Sequence, residues 1–159
     1  MNRWHDPWEL HRFVEAQEDT YDSALAEIQR GRKESHWMWY VFPQLAGLGT
    51  SSTARYYAIQ NRDEAAAYLD HPILGPRLTE CAQALLAHTH LTAHQIFGSP
   101  DDLKLRSCCT LFAAISPPGS IFHQLLDRYF PEGPDPRTVE LLRQAQGGGR
   151  GGRGDAEQF

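Results

Sequence analysis

The stretch SPDDLKLRSCCTLFAAISPP, residues 99–118, decides the fold. Ser99, Pro100 and Asp102 read as a cap, a first-turn proline and an acidic third position, a capping-box arrangement with Asp in place of Glu. Leu103, Leu105, Cys108, Cys109, Leu111, Phe112 and Ile115 then make the segment apolar nearly all round towards its C-terminal half, and Pro117-Pro118 stops it. A helix with so little polar face to offer water predicts a buried core helix.

Outward from it, helix punctuation recurs. Thr92 to Phe97 reads as a turn or two of helix ended by Gly98, and Ser120 caps a segment with Ile121, Phe122, Leu125, Leu126 and Tyr129 at helical spacing. Asp135-Pro136 starts a last amphipathic helix through Val139, Leu141 and Leu142. The longest periodic segment, from about Ile73 to Ala87, predicts a central helix with Pro76 in its first turn. Two brief helices precede it, one from Ser51 or Ser52 and one over Asp63 to Leu69.

Near the start, Asp6-Pro7 announces a helix carrying Leu10, Phe13, Val14 and Gln17 that ends near Glu18. Thr20 caps a second, with Tyr21, Ala24, Leu25 and Ile28 on one stripe and Gly31 as its left-handed terminator. Residues 36–42 are apolar and aromatic on every side and stop at Pro43, which predicts a buried turn or two.

Alternating β-branched runs of strand length are missing, and no fixed repeat suggests a solenoid. The expectation is an all-α, single compact irregular bundle of about seven to nine helices over residues 1–146, followed by a flexible Gly/Arg-rich tail, GGGRGGRGDAEQF, at 147–159.

A length of 159 residues, 41% apolar and 22% charged, is that of one ordinary globular domain. The net charge of -5 gives no general attraction to phosphate backbones or anionic lipid, so a nucleic-acid or membrane role is not expected. The two arginines of the tail, Arg150 and Arg153, are a feeble RNA-binding footprint beside Asp155 and Glu157. No apolar run approaches the ~18 to 20 residues of a membrane span and residues 1–8 lack a signal-peptide core, which predicts a soluble cytoplasmic protein.

Cys81, Cys108 and Cys109 make an odd count with no ligand spacing, so they read as free, buried thiols. His88, His90 and His94 lack a zincin's neighbouring Glu and read as surface histidines. No metal or cofactor is expected, and no nucleophile elbow, P-loop or dinucleotide fingerprint names a reaction.

Three ordered blocks, RKESHWMWYVFPQLAGLGTSSTARYYAI at 32–59, HPILGPRLTEC at 71–81 and DLKLRSCCTLF at 102–112, resemble a bacterial and fungal family known as domain of unknown function 1810. The resemblance covers about residues 9–142. It implies a mostly α-helical single domain and no established activity. Where the family pattern has small Ser-type residues after Arg106-Ser107, this chain has Cys108 and Cys109.

The richest segment for function is Lys33, Ser35, His36, Trp37, Trp39, Phe42 and Gln44, where titratable and amide groups lie among large aromatics. Such groups can line a pocket in which rings stack on a planar ligand and polar atoms orient it. The plain alternative is that the aromatics are core and the polar groups serve unpaired backbone. Arg77 and Lys104 fall near the starts of two helices, where free amides already favour an anion. Convergence of Arg77 and Lys104 on residues 33–44 would make a cationic aromatic pocket for a small anionic or nucleotide-like ligand, bound or acted upon. The competing expectation is a non-catalytic helical protein-interaction module. Asp101 and Asp102 read as capping groups rather than an acid–base pair.

Overall fold

The computed structural model describes residues 6–150, apart from the side chains of 146–150. It is all-α, with ten helices among the described residues. In chain order these are α1 His11–Glu18, α2 Tyr21–Arg30, α3 Met38–Val41, α4 Ser52–Tyr56, α5 Arg62–Asp70, α6 Leu74–Leu86, α7 Ala93–Phe97, α8 Asp101–Ala114, α9 Ile121–Tyr129 and α10 Pro136–Arg150. The count passes the expected range because α3, α4 and α7 are separate pieces of five residues or fewer. Extended pairing among the described residues is confined to a parallel bridge between Leu45 and Ile59, which clips the loop after α3 to the one before α5.

α8 is the core helix. Nine of its residues are buried, among them Leu105, Cys108, Cys109, Leu111 and Phe112. It packs on α9, α7, α10 and α5, while α6 joins α5, α2 and α9 to the same cluster. At 25–30 cal/mol per Å² of apolar area, such burial is the main favourable contribution to folding.

Local chemistry explains several helix ends. Ser51, Asn61, Thr92 and Ser120 accept amide hydrogen bonds as caps, and Thr92 with Gln95 forms a full capping box. Gly31, at φ 80°, closes α2: its N–H reaches the Ile28 carbonyl at 2.9 Å and that of Arg32 reaches Glu27 at 3.0 Å, a Schellman motif.

Four end expectations need correction. Asp6 does serve α1, but its carboxylate accepts from Leu10 and His11 at 2.7 and 3.0 Å across a turn, so the helix begins at His11. The Thr20 hydroxyl donates back to the Ala16 carbonyl at 2.8 Å instead of capping α2. The capping box expected at Ser99 does not form, because its hydroxyl donates to Asp102 at 3.1 Å while the Gly98 and Pro100 carbonyls receive the first amides of α8. The boundary drawn at residue 146 falls inside α10, which continues to Arg150; residues 151–159 of the expected tail lie outside the described residues.

Candidate functional site

The site grows out of the end of α2. After the Gly31 turn the chain doubles back, and the buried Glu27 carboxylate takes up its polar groups. Glu27 Oε1 accepts from the Glu34 and Ser35 amides at 2.8 and 3.0 Å and from the Trp37 indole at 2.8 Å, and Oε2 accepts from the Ser35 hydroxyl at 2.5 Å. Burial alone would raise the pKa of this carboxyl, but those hydrogen bonds stabilise its charged form and hold it at about 2.

The fold-back places Lys33, whose amide is bonded to the Ile96 carbonyl at 2.7 Å, against the start of α8. There its Nζ meets Asp101 Oδ2 at 2.9 Å, donates to the Ser35 carbonyl at 2.6 Å and lies 5.0 Å from the Trp37 ring centre. The other Asp101 oxygen, Oδ1, faces Lys104 Nζ at 3.4 Å, and that ammonium lies 4.9 Å from the Trp39 ring centre. Two lysines separated by seventy residues of chain thus share one carboxylate, each over its own tryptophan. With the ionised Glu27 carboxylate behind Trp37 and Ser35 counted, two ammonium groups face two carboxylates in this cluster, of which Asp101 alone touches the lysines. The Lys33 side chain is 8% exposed and that of Lys104 24%, so Lys104 is the outer member.

Of the residues expected at the site, Lys33, Trp37, Trp39 and Lys104 come together. His36 is exposed beside them, its carbonyl accepting the Tyr40 hydroxyl at 3.3 Å. Gln44 contributes its carbonyl to Ile59 at 2.9 Å as part of the bridge. Arg77 does not join the lysines: its guanidinium stacks 4.8 Å from the Tyr21 ring centre and donates to Gln17 at 3.3 Å. Trp37 is core, 1% exposed, whereas Trp39 is half-buried.

Two open concavities lie elsewhere. One of about 340 Å³ sits between Gln60–Asp63 and Leu141–Leu142 of α10, and one of about 350 Å³ is lined by His123, Asp127 and Phe130; neither includes a residue expected at the site. Among the described residues no group of His, Cys, Asp or Glu is placed to hold a metal ion.

The fold has a counterpart among solved structures. Residues 7–142 match the family described as Protein of unknown function (DUF1810). The chain belongs to the DUF1810 family. The likeness to a DUF1810-type fold extends to the crystal structure of the conserved hypothetical protein Rv1873 from Mycobacterium tuberculosis, at 49% identity and a TM-score of 0.85, over 87% of this chain and 99% of that one. No functionally curated protein matches this DUF1810 chain. No helix among its described residues is long and apolar enough to cross a membrane.

Two site residues escaped the sequence reading. Asp101 was legible only as a cap, although its i, i+3 spacing to Lys104 is a helical pairing signal. Glu27 carried no local signal, since its role exists only once the loop has turned back on it.

Proposed function

We propose that this DUF1810 domain is a binding module for a small anionic ligand with a planar body, seated where Lys33 and Lys104 converge beside Trp39. The observation that carries it is the shared Asp101 carboxylate, which occupies the place an anion would take between two ammonium groups. In the resting state Lys104 covers the Trp39 ring and faces Asp101. An arriving phosphate or carboxylate competes with Asp101 for Lys104, and movement of that flexible side chain uncovers the indole for stacking. Lys33, pinned by Ser35 and Trp37, stays as the fixed charge. The buried free thiols Cys81, Cys108 and Cys109 suit a reducing compartment, so the ligand is sought among cytoplasmic metabolites.

The test is a titration with AMP, adenosine and inorganic phosphate, followed by tryptophan fluorescence. AMP should bind more tightly than either of its parts, and both Lys104→Ala and Trp39→Phe should weaken it. Equal binding of AMP by all three proteins would reject the reading and favour the interaction module instead.

A further inference from the structure

The concavity beside α9, about 350 Å³, has the size of a small-molecule site and a chemistry opposite to that of the lysines. One wall is α9 itself: His123, Leu126 and Asp127 stand at helical spacing, and Phe130 follows where the helix ends. The facing wall is the loop that carries Pro131, Gly133 and Pro134.

Both walls are held from behind. Arg106 of α8 donates from Nε to the Gly133 carbonyl at 2.8 Å and from an Nη to the Pro134 carbonyl at 3.1 Å, and the Asp135 amide donates to the Thr110 hydroxyl at 2.8 Å. Leu126 and Phe130 are each 6% exposed, so their bodies are rooted in the core and only their edges form the apolar floor. On α9 the Ser120 hydroxyl meets His123 Nδ1 at 2.7 Å, which orients the imidazole and leaves Nε2 as its other hydrogen-bonding atom. The concavity is therefore preorganised.

Its polar atoms select the ligand. Pro131 and Pro134 have no N–H, and the Gly133 N–H is spent on the Phe130 carbonyl at 2.9 Å, so the loop wall offers no amide donor to an anion. The nearby cations are engaged: Arg106 holds the two loop carbonyls and faces Glu132 at 3.9 Å, and Arg128 donates to the His88 and Leu91 carbonyls. Among the described residues no donor or cation takes up the Asp127 carboxylate, which lines the concavity from an exposed position.

We propose that this concavity binds a primary ammonium ion carrying a small apolar body, with the ammonium on Asp127 and the body against Leu126, Phe130 and the two prolines. When Nδ1 gives its proton to the Ser120 hydroxyl, His123 Nε2 is an acceptor for a second N–H of the same ammonium. A carboxylate or phosphate meets the charge of Asp127 instead, so this site and the lysine site select ligands of opposite sign.

The probe is benzylamine, titrated into the millimolar range while the His123 and Phe130 ring signals are followed by NMR. Benzyl alcohol and benzoate present the same ring with a neutral and a negative head. Benzylamine should shift both ring signals and saturate, benzyl alcohol should bind more weakly, and benzoate most weakly. Asp127→Asn should weaken benzylamine about two- to fivefold, the size of one exposed ion pair, while Lys104→Ala should leave it unchanged. Equal binding of the three compounds, an Asp127→Asn protein with unaltered affinity, or saturable benzylamine shifts that spare His123 and Phe130 would overturn the proposal. Asp127 is an exposed side chain, so its replacement leaves folding intact.

Discussion

Glu27 holds Trp37 by a 2.8 Å hydrogen bond from the indole N–H, and through that bond the last turn of α2 fixes the aromatic segment that carries the lysine site. The same carboxylate oxygen also receives two backbone amides, so three donors would lose a charged acceptor together. Glu27→Gln should therefore destabilise the fold by about 1.5–3 kcal/mol in urea denaturation, the range for hydrogen bonds to a charged group.

The Glu27 contribution has a defined pH dependence. Its folded pKa of about 2 lies below the ordinary 4.5, so between those values the unfolded chain binds more protons and stability rises with pH. The stability difference between the natural chain and Glu27→Gln should be full above pH 4.5 and shrink as pH falls towards 2. A difference that stays constant over that window would mean that the carboxylate charge does not matter.

The all-α class, the core helix and the caps at Ser51, Ser120 and Gly31 were legible because each rests on neighbours within four residues, whereas the Asn61 cap and the Thr92–Gln95 capping box were not read. The candidate segment was legible through its unusual mixture of tryptophan, histidine and lysine. Which cations meet there was not, because that depends on pairings across the chain: Lys33 finds Asp101, whereas Arg77 finds Gln17 and Tyr21. The Arg12–Glu64 pair was invisible for the same reason, being fifty-two residues apart.

That buried pair is a structural anchor. The Arg12 side chain is 9% exposed, Glu64 1%, and the guanidinium also serves the carbonyls of Trp8, Glu9, Tyr56 and Ala58. Arg12→Met or Glu64→Gln alone should cost about 3–5 kcal/mol, since each leaves a buried charge without its partner. The double variant should cost less than the sum in a double-mutant cycle; strict additivity would deny the coupling.

Glycine marks one close approach between helices. A Cβ on Gly75 would lie 2.0 Å from the Leu69 carbonyl oxygen at the end of α5, a contact with backbone that cannot yield easily. Gly75→Ala should cost about 1–3 kcal/mol or more by forcing α5 and α6 apart. Gly119, at φ 83°, has open space around the same position, so Gly119→Ala should cost only the left-handed backbone penalty, about 1–2 kcal/mol. Thermal melts of the two variants check the order.

The thiols should be silent in the native state. Burial pushes Cys81 up to about 12 and raises Cys108 and Cys109 as well, so little thiolate exists at neutral pH and access is blocked. A thiol reagent such as DTNB should label none of the three quickly in the folded protein and all three in denaturant.

The most direct test of the lysine site is the affinity for AMP of Asp101→Asn beside that of Lys104→Ala, by calorimetry at low salt. If Asp101 occupies the place of an incoming anion, removing its charge should tighten AMP binding while Lys104→Ala weakens it. Should Asp101→Asn leave AMP binding weaker or unchanged in a folded protein, Lys33, Asp101 and Lys104 are a clasp between the loop and α8, and the anion site does not exist.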